Sequence, residues 1–394
     1  MGKPDIDIAI LGGGLAGGLI ALALAERRPD LRLTLVEQAA SFGGNHLWSF
    51  FESDVAAHDL WLVEPLIAAR WSGYSVHFPG HSRALTTPYR SVTSERLDAT
   101  LRTRLAPEAL LTGASVTECG QNHIALADGR RIEAGAVIDA RGGSAMPHMA
   151  GGWQKFLGQT LRLAAPHGLP RPIVMDARVA QIDGYRFVYC LPFSDTEVFV
   201  EDTYYSEIPD LDREALRARI AAYAAGRDWQ VDAILREEAG VLPVVAAGDF
   251  AWFRGDPDGP ARAGVRAALF HPLTSYSLPD AVRFAVHLAG RDDLSGASLA
   301  KASYQWARGH WRDGAFYRML AKMLFSATSP SDRYRVLERF YRLPEPLIER
   351  FYAGRSSHAD MARILMGKPP ISVGAAVAAL LGKGRPLAPL DATR

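Results

Sequence analysis

Residues Ile8 to Glu37 constrain this chain more than any other segment, reading IAILGGGLAGGLIALALAERRPDLRLTLVE. The apolar run Ile8-Ala9-Ile10-Leu11 has the composition of a buried parallel strand, and it enters Gly12-x-Gly14-x-x-Gly17 without a break. A helical pattern follows over Leu15–Glu26, then a second strand over Leu31–Val36 that ends at Glu37. Strand, glycine turn, helix, strand and acid at these spacings make the dinucleotide-binding βαβ unit. Gly12 permits the tight turn, Gly14 lets the backbone approach a pyrophosphate, and Gly17 lets the helix close on the strand. Leu15 and Ala16 open the helix, whose free N–H groups and partial positive charge suit phosphates. Glu37 stands where a carboxylate accepts from ribose hydroxyls. That favours FAD or NAD and disfavours a 2′-phosphate.

The eighteen uncharged residues Ile8–Ala25 also meet the length of a membrane span, and Lys3 with Ala23-Leu24-Ala25 imitates a secretory signal. Both readings fail on the glycine offsets and on the strand from Leu31, which needs the first strand as its partner. With 394 residues, 48% hydrophobic and 22% charged, the chain can hold two or more subdomains around a sizeable core. Two cysteines, Cys119 and Cys190, exclude a disulfide framework or a Cys-rich metal site and fit a reducing cytosol. No metal and no nucleic-acid partner is expected. The near-neutral balance is uneven: residues 301–394 carry 16 Lys/Arg against 7 Asp/Glu. A basic C-terminal block suits either an anionic surface or a solvated helical face.

The fold expected is mixed α/β and α+β: a Rossmann-like FAD-binding domain, an antiparallel-sheet substrate domain and a C-terminal helical region. The first takes residues 1–145 and 240–297, the second 146–239, the third 298–394. The Gly43-Gly44 loop after the second strand lies near the cofactor, with Gly44 allowing close approach. Ser94 reads as an N-cap, and Arg96 beside it either reaches a pyrophosphate or stays solvated. Leu110–Arg131 reads as a β-meander. Ala136–Gly143 is an apolar strand ending in a small-residue turn, with Asp139 and Gly142 at the cofactor end. Gln159–Leu163, Ile173–Ala177, Tyr185–Leu191 and Glu197–Tyr205 read as antiparallel strands. Leu211–Ala225 reads as a helix, with Val231–Glu238 continuing the helical segment. A short strand over Ala267–Phe270 should lead through Pro272 and Thr274 to Tyr276 and Ser277, the N-cap of another helix. That second helix N-terminus suits a ribityl or pyrophosphate group, and His271 reads first as a structural histidine. Residues 298–381 are helical, a lid or a basic amphipathic platform on a membrane, and Ile371–Leu381 is too short to span a bilayer.

Four motifs together resemble the bacterial lycopene β-cyclases: the glycine fingerprint, GGNHLWSF at 43–50, FVEDTYY at 199–205 and HPLTSYSLP at 271–279. The likeness runs from about Asp7 to about Gly374. Ser275 departs from it, standing where many relatives carry Gly in the turn. The resemblance implies an isomerase of the intramolecular lyase type. It would close both ends of lycopene to β-ionone rings, through γ-carotene to β-carotene, without net redox change. It implies reduced FAD, with NADPH or NADH as reductant, and a cytoplasmic enzyme lying peripherally on the membrane. It places the general acid at Glu201. In a regular strand Phe199, Glu201, Thr203 and Tyr205 share one face while Asp202 points the other way, so only one of the two acids can enter a cavity. Phe199, Asp202, Thr203 and Tyr205 are the expected substrate contacts. Two other classes remain: a redox flavoenzyme on an isoprenoid or aromatic substrate, and a non-catalytic isoprenoid-binding module.

Overall fold

The computed structural model describes residues 6–143, 146–255, 259–366, 373–382 and 384–387. Strand β1 (Ile6–Leu11) turns at Gly12, φ 92°, into helix α1 (Leu15–Arg27), and the chain returns as β2 (Leu33–Val36) parallel to β1. The turn is as tight as the glycines allow. A Cβ on Gly17 would lie 1.9 Å from the Gly12 carbonyl oxygen, so only glycine closes the helix onto the strand there. On the other side β1 pairs in parallel with β3 (Arg131–Asp139), whose first half pairs antiparallel with His123–Leu126. β1 is thus central, which is why Ile8–Leu11 are apolar and buried. The expected meander is split: Leu110–Leu111 joins β2 in parallel, while Val116–Cys119 and His123–Leu126 extend β3.

The second sheet is built on β4 (Met149–Leu163), β5 (Tyr185–Pro192), β6 (Glu197–Ser206) and β7 (Val231–Gly248). Its order is β7-β4-β6-β5, then Ile173–Asp176, Tyr74–Phe78 and His81–Leu85. Helix α2 (Arg213–Ala225), capped by the Asp212 carboxylate, covers one face through Leu216 and Ile220, against Val198, Val200 and Tyr204. Tyr185, Phe187, Tyr189, Phe199 and Tyr205 point to the other face, against Tyr317, Leu324, Tyr341 and Tyr352 of the C-terminal helices.

Three local expectations are corrected. Val231–Glu238 is not helical: it is the first half of β7, paired with β4 from Leu163 back to Gly158. Its sequence lacks alternation, and pairing to a remote strand decides its conformation. Ala267–Phe270 forms no strand, because Gly264–Ala267 is a 3-10 turn that ends at Ala268 in the left-handed region, φ 55°. Thr93 rather than Ser94 caps the helix Ser94–Arg104, its hydroxyl accepting from the Arg96 N–H at 3.2 Å. The apolar run at Ile371–Leu381 is a helix over Val373–Leu381, and Ile371 lies outside the described residues.

Candidate active site

Two features meet at the interface between the parallel sheet and the second sheet. The first is a cavity of about 530 Å³ at the C-terminal ends of β1, β2 and β3. Of the expected cofactor residues, Gly12, Gly14, Leu15, Ala16, Glu37, Gly44, Gly142 and Ser277 line it. Gly17 lies behind them and closes the turn. The Glu37 carboxylate is held in place by two backbone donors, the Gly13 N–H at 2.8 Å and the Ala39 N–H at 2.9 Å. Ser277 precedes helix α3 (Leu278–Ala289), so two helix N-termini, those of α1 and α3, border the same space.

Asp139 does not line the cavity. It is buried and grips Arg141, accepting from its Nε at 2.9 Å, and so fixes the turn in which Arg141 and Gly142 face the space. Arg96 also lies away from the cavity lining: it is exposed, and its Nε donates to the Pro65 carbonyl at 2.9 Å. The residues that sequence reading passed over are Arg141 and Arg266, two cations at the cavity wall. Arg141 lies inside the Ala136–Gly143 stretch, where a cation in the terminal turn was the signal.

A dinucleotide fits this cradle on observations of the chain itself. Cβ atoms added at Gly14 and Gly142 would meet nothing within 4 Å, so both backbones face open space. Helix N-termini and two guanidiniums supply positive potential at one part of the wall, and a fixed carboxylate supplies a hydroxyl acceptor at another.

The second feature is the inner face of the second sheet. From Val198 to Ser206 every residue of β6 is buried except Glu201, which is partly exposed. Burial and the neighbouring Asp202 charge push the Glu201 carboxyl up to about 7, against a hydrogen bond from the Thr203 hydroxyl at 2.5 Å that favours its charged form. Phe199 lies beside it. A Cβ on Gly158, the β4 partner of Glu201, would come within 2.2 Å of the Phe199 ring, so the ring occupies the space above that glycine. Tyr189, the β5 partner of Glu201, meets Phe199 edge to face at 6.3 Å.

Asp202 is a correction among the expected substrate contacts. It is completely buried toward α2 and accepts from Arg186 Nε at 2.9 Å, so it holds the sheet together and cannot reach a ligand beside Glu201. The face argument applied to strand residues predicts that separation. Tyr205 is on the Glu201 face, and its hydroxyl donates to Gln154 Oε1 at 3.1 Å and to the Leu273 carbonyl at 3.3 Å.

The 271–279 loop joins the two features. The Val245 N–H donates to the Pro272 carbonyl at 3.0 Å and the Ser275 hydroxyl donates to the Pro243 carbonyl at 2.7 Å, stitching the loop to β7. Ser275 takes φ 58°, the left-handed conformation that glycine would hold without strain, and that hydroxyl bond compensates. Pro272, Thr274 and Tyr276 are therefore not in the cradle wall. Pro272 and Tyr276 line a separate small cavity, while Thr274 is buried in the turn. His271 organises the turn, its Nδ1 accepting from the Leu273 and Thr274 N–H groups at 3.3 Å, and burial lowers its pKa to about 4. Burial raises the Tyr276 phenol, with a smaller push from the Glu201 charge, and Ser277 next to it lines the cradle.

A sequence-family model described as "Lycopene cyclase protein" matches residues 7–378. A lycopene beta-cyclase of Pseudescherichia vulneris is 48% identical over 376 residues, covering 95% of this chain and 97% of that protein. One from Pantoea ananas is 44% identical, covering 96% and 99%. Among solved structures, Klebsiella pneumoniae HpxO complexed with FAD and uric acid superposes with a TM-score of 0.63 at 15% identity, covering 89% of this chain and 96% of that one. At that identity the likeness establishes a flavoenzyme fold and nothing of the substrate.

Proposed function

The chain belongs to the lycopene cyclase family, and from that premise we propose a mechanism in which Glu201 starts the cyclisation of lycopene by protonating it. The observation that carries this reading is Glu201 as the one residue from Val198 to Ser206 that is not buried, facing aromatic rings, with a carboxyl pushed up to about 7. A carboxylic acid that stays protonated near neutral pH can donate to an alkene. Each linear end of lycopene has a terminal C1=C2 bond and a C5=C6 bond placed to attack it. Proton transfer from Glu201 to C2 leaves a tertiary cation at C1. The C5=C6 pair closes the C1–C6 bond and moves the charge to C5, and loss of the C6 proton gives the β ring. One closed end gives γ-carotene and two give β-carotene.

Water must be kept from that cation. Phe199 and Tyr189, with Tyr276 beyond them, give it aromatic surroundings, and such rings attract a cation by about 0.5–2 kcal/mol. Reduced FAD held by the cradle, with NADPH or NADH as its electron source, would supply negative charge beside the cation. Gly12, Gly14, Glu37, Arg141 and Ser277 are the residues that would hold it.

Lycopene is insoluble in water, which calls for delivery from lipid. Leu365, 47% exposed, lines an apolar groove with Leu273, Leu320 and Phe340, and Met366, 60% exposed, follows it in the chain. No helix among the described residues is long and apolar enough to cross a membrane, so the contact proposed is peripheral. The basic C-terminal block supports it only in part, because Arg333 is buried against Glu207 and Arg318 packs on Trp311.

Glu201→Gln tests the assignment. In lycopene-producing cells, and with purified holoenzyme on lycopene in vesicles, β-carotene formation should fall at least about 100-fold with flavin content unchanged. Cyclisation at near the original rate would refute it.

A further inference from the structure

A second carboxyl projects from the same face of the sheet as Glu201. Glu238 on β7 and Glu201 on β6 are both partnered by Gly158 of the intervening β4. Carboxyls on one row of a sheet project to one face, here with backbones two strand spacings apart, about 10 Å. The Phe199 ring stands over Gly158 between them. Each acid has a neighbour that points the other way: Asp202 is held by Arg186, and Glu237 by Arg217 with Gln159. The adjacent pairs thus repeat one arrangement, with the clamped acid toward α2 and the other toward the interior.

Glu238 is buried, yet its only side-chain partner among the described residues is Arg236, at 3.3 Å. Gly240, Val244 and Ala246 follow it on β7, and Arg236 precedes it on the same face. The Leu47 N–H also reaches Glu238, and Leu47 is flanked by His46 and Trp48 of the cradle wall. Tyr276, which the Glu201 charge reaches, precedes Ser277 of the cradle wall. Charge on either carboxyl disfavours charge on the other, which suits a pair that holds one proton between two sites.

We propose that Glu238 is the base of the cyclisation, collecting the C6 proton on the far side of a chain end seated over Phe199. The proposal rests on Glu201 being the acid. The balance is complete: the Glu201 O–H bond breaks as the C2–H bond forms, the C6–H bond breaks as C5=C6 forms, and its proton ends on Glu238. Return of that proton to Glu201 resets the pair for the second end, with no electron gained or lost. The Phe199 ring lies between acid and base, so the two would address a chain end from opposite sides of that ring, as paired carboxyls do at one centre.

The test is the ring formed as well as the rate. Purified Glu238→Gln holoenzyme with reduced flavin, given lycopene in vesicles, should keep its flavin. It should turn over at least about 100-fold more slowly. Its residual product should include ε or γ rings, formed by loss of a C4 or methyl proton from the same C5 cation. Turnover within about threefold of the parent with only β rings would overturn the proposal, and so would purification without flavin, which assigns Glu238 to holding the 43–50 loop. Should Glu238→Gln not fold, Glu238→Asp decides: turnover reduced about tenfold with only β rings is expected, and an unchanged rate overturns it. Glu201→Gln run beside them separates the two assignments. If it stays active the acid assignment falls. If it is inactive while Glu238→Gln makes β rings at the parent rate, only the base assignment falls.

Discussion

Gly158→Ala adds one methyl group at the centre of the proposed site. The new Cβ would sit 2.2 Å from Phe199 Cζ and 2.6 Å from Cε2, where carbon atoms need about 3.5–4.0 Å. The ring must move by more than 1 Å, and it is almost fully buried against Tyr189. Two terms oppose each other. Replacing a strand glycine gains about 0.5–1 kcal/mol of backbone entropy. Overpacking a buried site costs about 1–3 kcal/mol. The second term is larger, so urea unfolding should show a net loss of about 1–2 kcal/mol. Gly309→Ala, where a Cβ meets nothing within 4 Å on a helix, should instead gain about 0.5–1 kcal/mol. Displacing Phe199 also removes the aromatic surface between Glu201 and Glu238, so β-carotene formation should fall about 2- to 30-fold, the rate equivalent of a lost cation–π contact. Gly158→Ala with parent stability and parent rate would refute both the ring's position and its role.

The Glu201 carboxyl is pushed up to about 7 from 4.5, so the folded state holds a proton that the unfolded chain releases. Its stabilising contribution is complete below about pH 4.5 and is lost as pH rises through about 7. Thermal melts of Glu201→Gln should therefore exceed the parent at pH 8 and lose that advantage at pH 4, and parent activity should decline above about pH 7. Asp202→Ala leaves Arg186 buried without its partner and should lower stability by about 3–5 kcal/mol in urea titration, while any folded protein retains β-ring selectivity. At position 275, Ser275→Gly trades the hydroxyl bond for relief of left-handed strain and should stay within about 1 kcal/mol of the parent. Ser275→Val loses the bond and adds β-branching at φ 58°, and melting should show a loss of about 2 kcal/mol or more.

The parallel βαβ unit was legible because each of its residues has a local reason to be there: glycines at fixed offsets, an apolar central strand, an acid at its end. The opposite directions of Glu201 and Asp202 were legible for the same reason, since strand alternation is local. Glu238 was hidden by the helical reading of Val231–Glu238. That half of β7 gets its conformation from pairing with β4, which no pattern within the segment reports. Arg266 was hidden likewise, since its place at the cavity wall follows from the 3-10 turn and left-handed Ala268. Asp139 and Arg96 were misplaced by one shell: proximity in sequence to the cradle located their backbones and not where their side chains found partners.

The second sheet takes Tyr74–Phe78 and His81–Leu85 from early in the chain and pairs the first of them with Ile173–Asp176, about a hundred residues later. Its inner face cannot be completed until chain that belongs between β2 and β3 of the parallel sheet has crossed over. Long-range parallel pairing of this kind forms late and slowly. The two sheets therefore fold and melt as one cooperative body. Flavin fluorescence and far-ultraviolet circular dichroism should report a single coincident transition, and neither half should survive as an isolated fragment.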